Sequence, residues 1–90
     1  MTLLDKAILG YDLTNDEWKS LVYSDNVLDE VVLDSFVYTT DVMTIIRYKN
    51  RFYGIRWNRA NSQFYKDDFS TSYVTEVELK YKVVRDWVII

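Results

Sequence analysis

The sequence predicts an α+β domain with one or two short N-terminal helices packed on a four- to five-stranded, mostly antiparallel sheet. Three observations carry that prediction. Two capping-box signatures, Thr2-Leu3-Leu4-Asp5 and Thr14-Asn15-Asp16-Glu17, open short apolar stretches near the start of the chain. Beyond Asn26 the apolar spacing shifts from the helical period to the alternation of strands. Finally, 90 residues that are 49% apolar and 17% aromatic suffice for one modest core, so residues 1–90 read as a single domain.

The elements follow in order. The first helix opens at Thr2 and stops near Gly10, a residue suited to the position just past a helix end. The second opens at Thr14, and Trp18, Leu21 and Val22 share one face at i, i+3 and i+4. Ser24-Asp25-Asn26 is a turn. Val27 to Tyr38 is ambiguous, because Val27, Leu28 and Val31 fit a helix whereas Glu30 to Tyr38 is rich in β-branched and aromatic residues. A strand is expected from about Val31. Val42–Lys49 and Arg51–Asn58 form the clearest element, a hairpin around Lys49-Asn50. It places Val42, Thr44, Ile46 and Tyr48 with Tyr53, Ile55 and Trp57 on a core face. Met43, Ile45 and Arg47 with Phe52, Gly54 and Arg56 then form a cationic face with some apolar content.

Asn58 to Ser72 reads as a polar excursion with room for a helical turn. Val77 to Val83 alternates as a half-buried strand, Val83-Val84 marks a bulge or a turn near Arg85-Asp86, and Trp87 to Ile90 returns as a terminal strand. Leu3, Leu4, Trp18, Leu21, Val22, Leu79 and Tyr81 are expected to complete the core.

Composition narrows the chemistry. The chain has no cysteine, hence neither a disulfide framework nor a thiolate metal site. It has no histidine, which removes the commonest general base and the usual zinc ligand. No phosphate-binding glycine loop and no metalloprotease signature occurs, and serines and threonines have no His or Cys partner. Asp29, Glu30 and Asp34, joined loosely by Asp25, are the nearest approach to a carboxylate metal cluster, and Asp67-Asp68 is a weaker one. No enzyme activity, cofactor or metal is expected. The opening MTLLDKAILG carries an acid within a very short apolar stretch and reads as neither a signal peptide nor a membrane span. A cytoplasmic location is expected, the host's cytoplasm if the source is a virus.

Charge is divided by position. Asp12 to Asp41 holds eight carboxylates against one lysine, a net −7, whereas Arg47 to Lys66 holds six cations and no acid. The overall charge of −3 conceals this. Opposite fields on one small domain can steer partners, exclude wrong ones or pair with each other. Two surfaces follow. An acidic array, Asp25, Asp29, Glu30 and Asp34, can imitate phosphates and occupy the cationic groove of a nucleic-acid-binding protein. Alternatively Arg47, Arg51, Arg56 and Arg59, interleaved with rings, can track a nucleic-acid backbone.

The run from Arg51 to Ser62 resembles small proteins of phages and mobile elements of Gram-positive bacteria. It shares their aromatic-rich strand ending in Trp57, their arginine before a small residue at Arg59-Ala60, and their serine-containing loop. Phe69, Glu76-Val77 and Trp87-Val88 follow in matching order. Ala60 stands where such loops carry glycine, and Tyr65 where they carry glutamine. The likeness covers roughly the C-terminal half. It implies a source more than an activity; small acidic, cysteine-poor phage proteins look like the anti-CRISPR class, so by that analogy the expectation is an inhibitor that binds a nuclease or other nucleic-acid-binding host protein. The alternatives are a nucleic-acid-binding accessory protein and a minor phage structural or assembly protein.

Overall fold

A computed structural model describes residues 1–81 and 85–90, with only the backbone at 80–81 and 85–86. Two helices, α1 (Leu3–Ile8) and α2 (Asn15–Val22), precede five strands: β1 (Val27–Ser35), β2 (Thr39–Tyr48), β3 (Arg51–Ala60), β4 (Val74–Tyr81) and β5 (Arg85–Ile89). The strands lie in the order β1-β2-β3-β4-β5, and each neighbouring pair is antiparallel. This is the α+β arrangement expected from the sequence. Among the described residues, no helix is long and apolar enough to cross a membrane.

Both capping boxes form. The Asp5 amide donates to Thr2 Oγ1 and the Thr2 amide to Asp5 Oδ2, each at 3.1 Å. Thr14 and Glu17 make the same reciprocal pair at 3.2 and 3.0 Å. Gly10 follows α1 with φ of +86°, a left-handed conformation open to glycine without a steric penalty. Lys49 and Asn50 both take positive φ, as a two-residue turn that matches strand twist requires. The register then runs Tyr48–Arg51, Thr44–Ile55 and Val42–Trp57.

That register builds the main core. Ile46, Ile55 and Trp57 are only 1%, 0% and 2% exposed, as alternation predicts. Leu4, Ala7, Trp18, Leu21 and Val22 from the helices pack over them. Trp57 stacks on Phe69 at 5.1 Å, meets the Tyr23 ring edge-on at 5.6 Å, and donates from Nε1 to Thr44 Oγ1 at 2.9 Å. A fully buried threonine and the indole thus satisfy each other, which removes the cost of burying either alone.

Several expectations are corrected. β1 begins at Val27, not near Val31, because Val27 pairs with Ile46 and register shifts around Leu28 and Leu33 let the ladder continue. Pairing to β2 overrides the local helical spacing. The second sheet face carries a core of its own, where Met43, Ile45 and Val77 cluster with Val31, Phe52 and Trp87. The cause is curl. Trp87 Nε1 on β5 donates to Asp29 Oδ2 on β1 at 2.7 Å, although these strands form opposite edges of the sheet. Gly54 allows the tight centre, since a Cβ there would lie 2.8 Å from Met43 Sδ and 3.3 Å from Val77 Cγ1.

The 61–73 connection carries no helix. Paired backbone bonds between Asn58 and Asp68, at 3.1 and 2.8 Å, hold it while Phe69 enters the core. β4 starts at Val74, and Arg85 and Asp86 belong to β5 rather than to a turn. The expected irregularity at Val83-Val84 lies outside the described residues. Leu3 and Leu79 are half-buried, and the Tyr81 side chain lies outside the description.

Candidate functional site

The acidic and basic sets occupy different elements and are used differently. Asp25 sits exposed in the turn before β1, and Asp29, Glu30 and Asp34 lie along β1. β1 is an edge strand, paired among the described residues only to β2, so its other side has no strand hydrogen-bonded to it there. Leu28, Val32 and Leu33 on the same strand are also exposed. The β1 register places Asp29 and Asp34 opposite Ile45 and Asp41, and Glu30 opposite Thr44. Ile45 and Thr44 point to opposite faces, so Asp29 and Glu30 do not converge; among the described residues no group of three acids is placed to hold a metal.

Three members of the basic set are engaged in internal pairs, although Arg51 and Arg56 keep more than half of their side chains exposed. Arg56 Nε reaches both Asp41 carboxylate oxygens, at 3.1 and 3.2 Å, and Nη2 joins the second. Asp41 is only 8% exposed, and the Asp41 hydrogen bonds, followed by its charge, hold the Arg56 pKa above its usual value. Arg59 pairs with Glu30 across the sheet, and Arg51 pairs with Glu76 at 3.5 Å. Arg47, exposed on β2, is the member of the set with no ion pair among the described residues. The two opposite fields therefore partly cancel within the molecule. Of the acids on β1, Glu30 is bound by Arg59 and Asp29 by Trp87, and Asp34 accepts from the Ser35 amide at 2.8 Å.

The turn after β1 adds a feature that alternation did not reveal. Phe36, Val37 and Tyr38 are 55%, 83% and 58% exposed, yet their backbone is held firmly. Asn61 donates from Nδ2 to the Phe36 carbonyl at 2.8 Å, and its amide donates to the Tyr38 carbonyl at 2.9 Å. Thr40 Oγ1 in turn donates to Asn61 Oδ1 at 2.6 Å, and the Tyr38 ring lies 4.8 Å from that of Tyr65. A small apolar cap, its backbone held by Asn61, thus stands at one end of the acidic edge. The available signal was the apolar run from Glu30 to Tyr38 itself, which has more apolar residues than one buried face can use.

The concave face behind β1 holds two grooves. One, of about 630 Å³, runs beside Leu28 to Val32, with Leu79 and Trp87 opposite. The other, of about 370 Å³, is mainly apolar and lies among Leu33, Met43, Gly54, Trp87 and Ile89, with Arg56 at its side. These combine an unpaired strand edge, carboxylates and apolar recesses, which are the parts of a recognition surface for another chain.

No protein family, curated protein or solved structure matches this chain.

Proposed function

We propose that this chain is a non-catalytic inhibitor of the kind carried by phages and mobile elements, acting in the host cytoplasm on a nucleic-acid-binding protein or nuclease. In this reading β1 and its turn form the interface, with Asp25 and Asp34 attracting a cationic surface and Phe36, Val37 and Tyr38 supplying apolar contact. The observation that carries it is the contrast in charge use. Three of the four arginines proposed for nucleic-acid binding are engaged in ion pairs, whereas two of the four acids, Asp25 and Asp34, are exposed and make no ion pair among the described residues, beside exposed apolar side chains. An ion-paired guanidinium would have to exchange a fixed internal partner for a phosphate, which lowers the gain from binding a polyanion. An exposed apolar cap rimmed by acids suits a protein partner better.

The test is capture from a bacterial lysate, with and without nuclease treatment, using the parent chain, Asp25→Asn with Asp34→Asn, and Arg47→Glu. The expected result is nuclease-resistant capture of a nucleic-acid-binding protein. Capture should weaken several-fold in the double variant, with a flatter salt dependence, and stay unchanged in Arg47→Glu. Capture that vanishes on nuclease treatment, or that depends on Arg47 and not on the acids, would overturn the reading and make the basic hairpin the interface.

A further inference from the structure

Five consecutive β1 residues, Leu28 to Val32, line a single groove. Successive side chains of a strand point to opposite faces, so a groove touched by all five runs along the strand's edge. Its far wall is Leu79 and Trp87, from β4 and β5, and β5 is the other edge of the same curled sheet. The Trp87–Asp29 hydrogen bond spans the opening. Among the described residues the curled sheet is therefore open along one seam between its first and last strands, bridged at Asp29 by Trp87.

We propose that this seam accepts an extended segment of a partner protein, in which lysine or arginine alternates with apolar residues, as an added strand along β1. The inference rests on the protein-binding reading above and names the partner's chemistry. Strand addition needs an unpaired edge for main-chain bonds and recesses for alternate side chains. β1 offers the edge. The apolar groove among Leu33, Met43, Trp87 and Ile89 offers the recess on the concave side.

Charge selects the occupant. Asp34 lies in direct register with the nearly buried Asp41, and like charges directly opposite each other in a sheet repel. Arg56 answers Asp41 with a multidentate pair, while Asp34 remains exposed. A cation on an added strand would neutralise that second carboxylate. The Glu30 amide donates to Asp29 Oδ1 and the Ser35 amide to Asp34 Oδ1, each at 2.8 Å, so two aspartates cover amide donors of their own strand. A partner cation draws such a carboxylate away and frees the amide for a partner carbonyl, whereas an acidic or neutral strand leaves the cover in place. A second copy presenting its own β1 would bring carboxylates onto carboxylates, so the same charges that attract a basic strand oppose self-pairing.

The probe is an acetylated and amidated octapeptide of alternating lysine and valine, added to the full-length, isotope-labelled chain. Two control peptides have the same composition: one with the lysines and valines in separate blocks, and one N-methylated at every second amide. The expected result is slowed hydrogen exchange at β1 amides, perturbation of the Trp87 indole signal, and binding at least ten-fold weaker for both controls. Asp34→Asn should weaken the alternating peptide several-fold while the chain stays folded by the same spectra. Equal binding of all three peptides, reduced by Asp34→Asn, would overturn strand addition and leave acidic docking standing. Protection elsewhere on the sheet, or no binding by the alternating peptide, would also overturn it; in that case the lysate capture decides separately whether the interface reading survives.

Discussion

β1 and β2 are partners in one ladder and similar in length, yet they live in different surroundings. In β2 every residue from Thr40 to Ile46 is buried, whereas in β1 no residue is, and only Val27 and Val31 are even half-covered. Apolar content does not explain this, because β1 carries Val27, Leu28, Val31, Val32 and Leu33. Position does. β2 has strands on both sides and supplies both hydrophobic clusters, while β1 is paired to one neighbour and sends only Val27 and Val31 against those clusters. Their acids differ in the same way. Asp41 on β2 is closed by Arg56, and Asp5 is locked onto the end of β2, but Asp34 on β1 faces outward. A strand that stays apolar while mostly exposed is the feature on which the proposed interface rests.

The comparison breaks most visibly at the centre of the core. Trp57→Ala removes a ring held between Phe69 and Tyr23 and leaves buried Thr44 without its donor. It should cost about 3–5 kcal/mol in urea unfolding, a large share of a small domain's stability. Val32→Ala on β1 serves as the control and should stay within about 0.5 kcal/mol. Comparable losses at the two sites would mean that β1 is a core strand after all.

A smaller effect tests the curl. Gly54→Ala puts a methyl group into the space of Met43 Sδ, and Met43 must move toward the apolar groove. The expected loss is about 1–3 kcal/mol. Combining it with Met43→Ala should recover part of that loss, because the side chain that has to yield is then gone. No recovery would place the strain in the backbone rather than in the second cluster.

The mildest test uses pH. The Asp5 carboxyl is lowered to about 2, first by the Thr2 amide, then by Tyr48 Oη, which donates at 2.9 Å, and by Thr2 Oγ1, with Lys49 adding its charge. The folded form is thus the more acidic one, so protonation favours unfolding. The contribution is present above about pH 4, and is lost as pH falls from there through about 2. Asp5→Asn should flatten the acid limb of stability in that window by a small amount. An unchanged limb would show that the Asp5 charge, held first by the α1 cap and then by Tyr48, does not contribute to stability.

How much was legible beforehand follows from the range of each interaction. Both capping boxes, the Lys49-Asn50 turn, the hairpin register and the buried Ile46, Ile55 and Trp57 could be read because each depends on residues close in sequence. Thr2 and Asp5 are three positions apart, and a two-residue turn sets every pairing that follows it. The charge partition was equally plain, and so were the positions of its acids and arginines.

Tertiary structure decided what those charges do. Asp29 finds Trp87 only because the sheet curls, and Glu30 reaches Arg59 on the opposite face only because β2 lies between their strands; neither pairing is visible to a local window. The curl also turned the supposed cationic face into a second core, into which β1 sends Val31 while most of its other side chains stay exposed. Local pattern therefore determined which segments are helix and strand in most of the chain. Long-range closure determined which arginines are ion-paired and which carboxylates face outward.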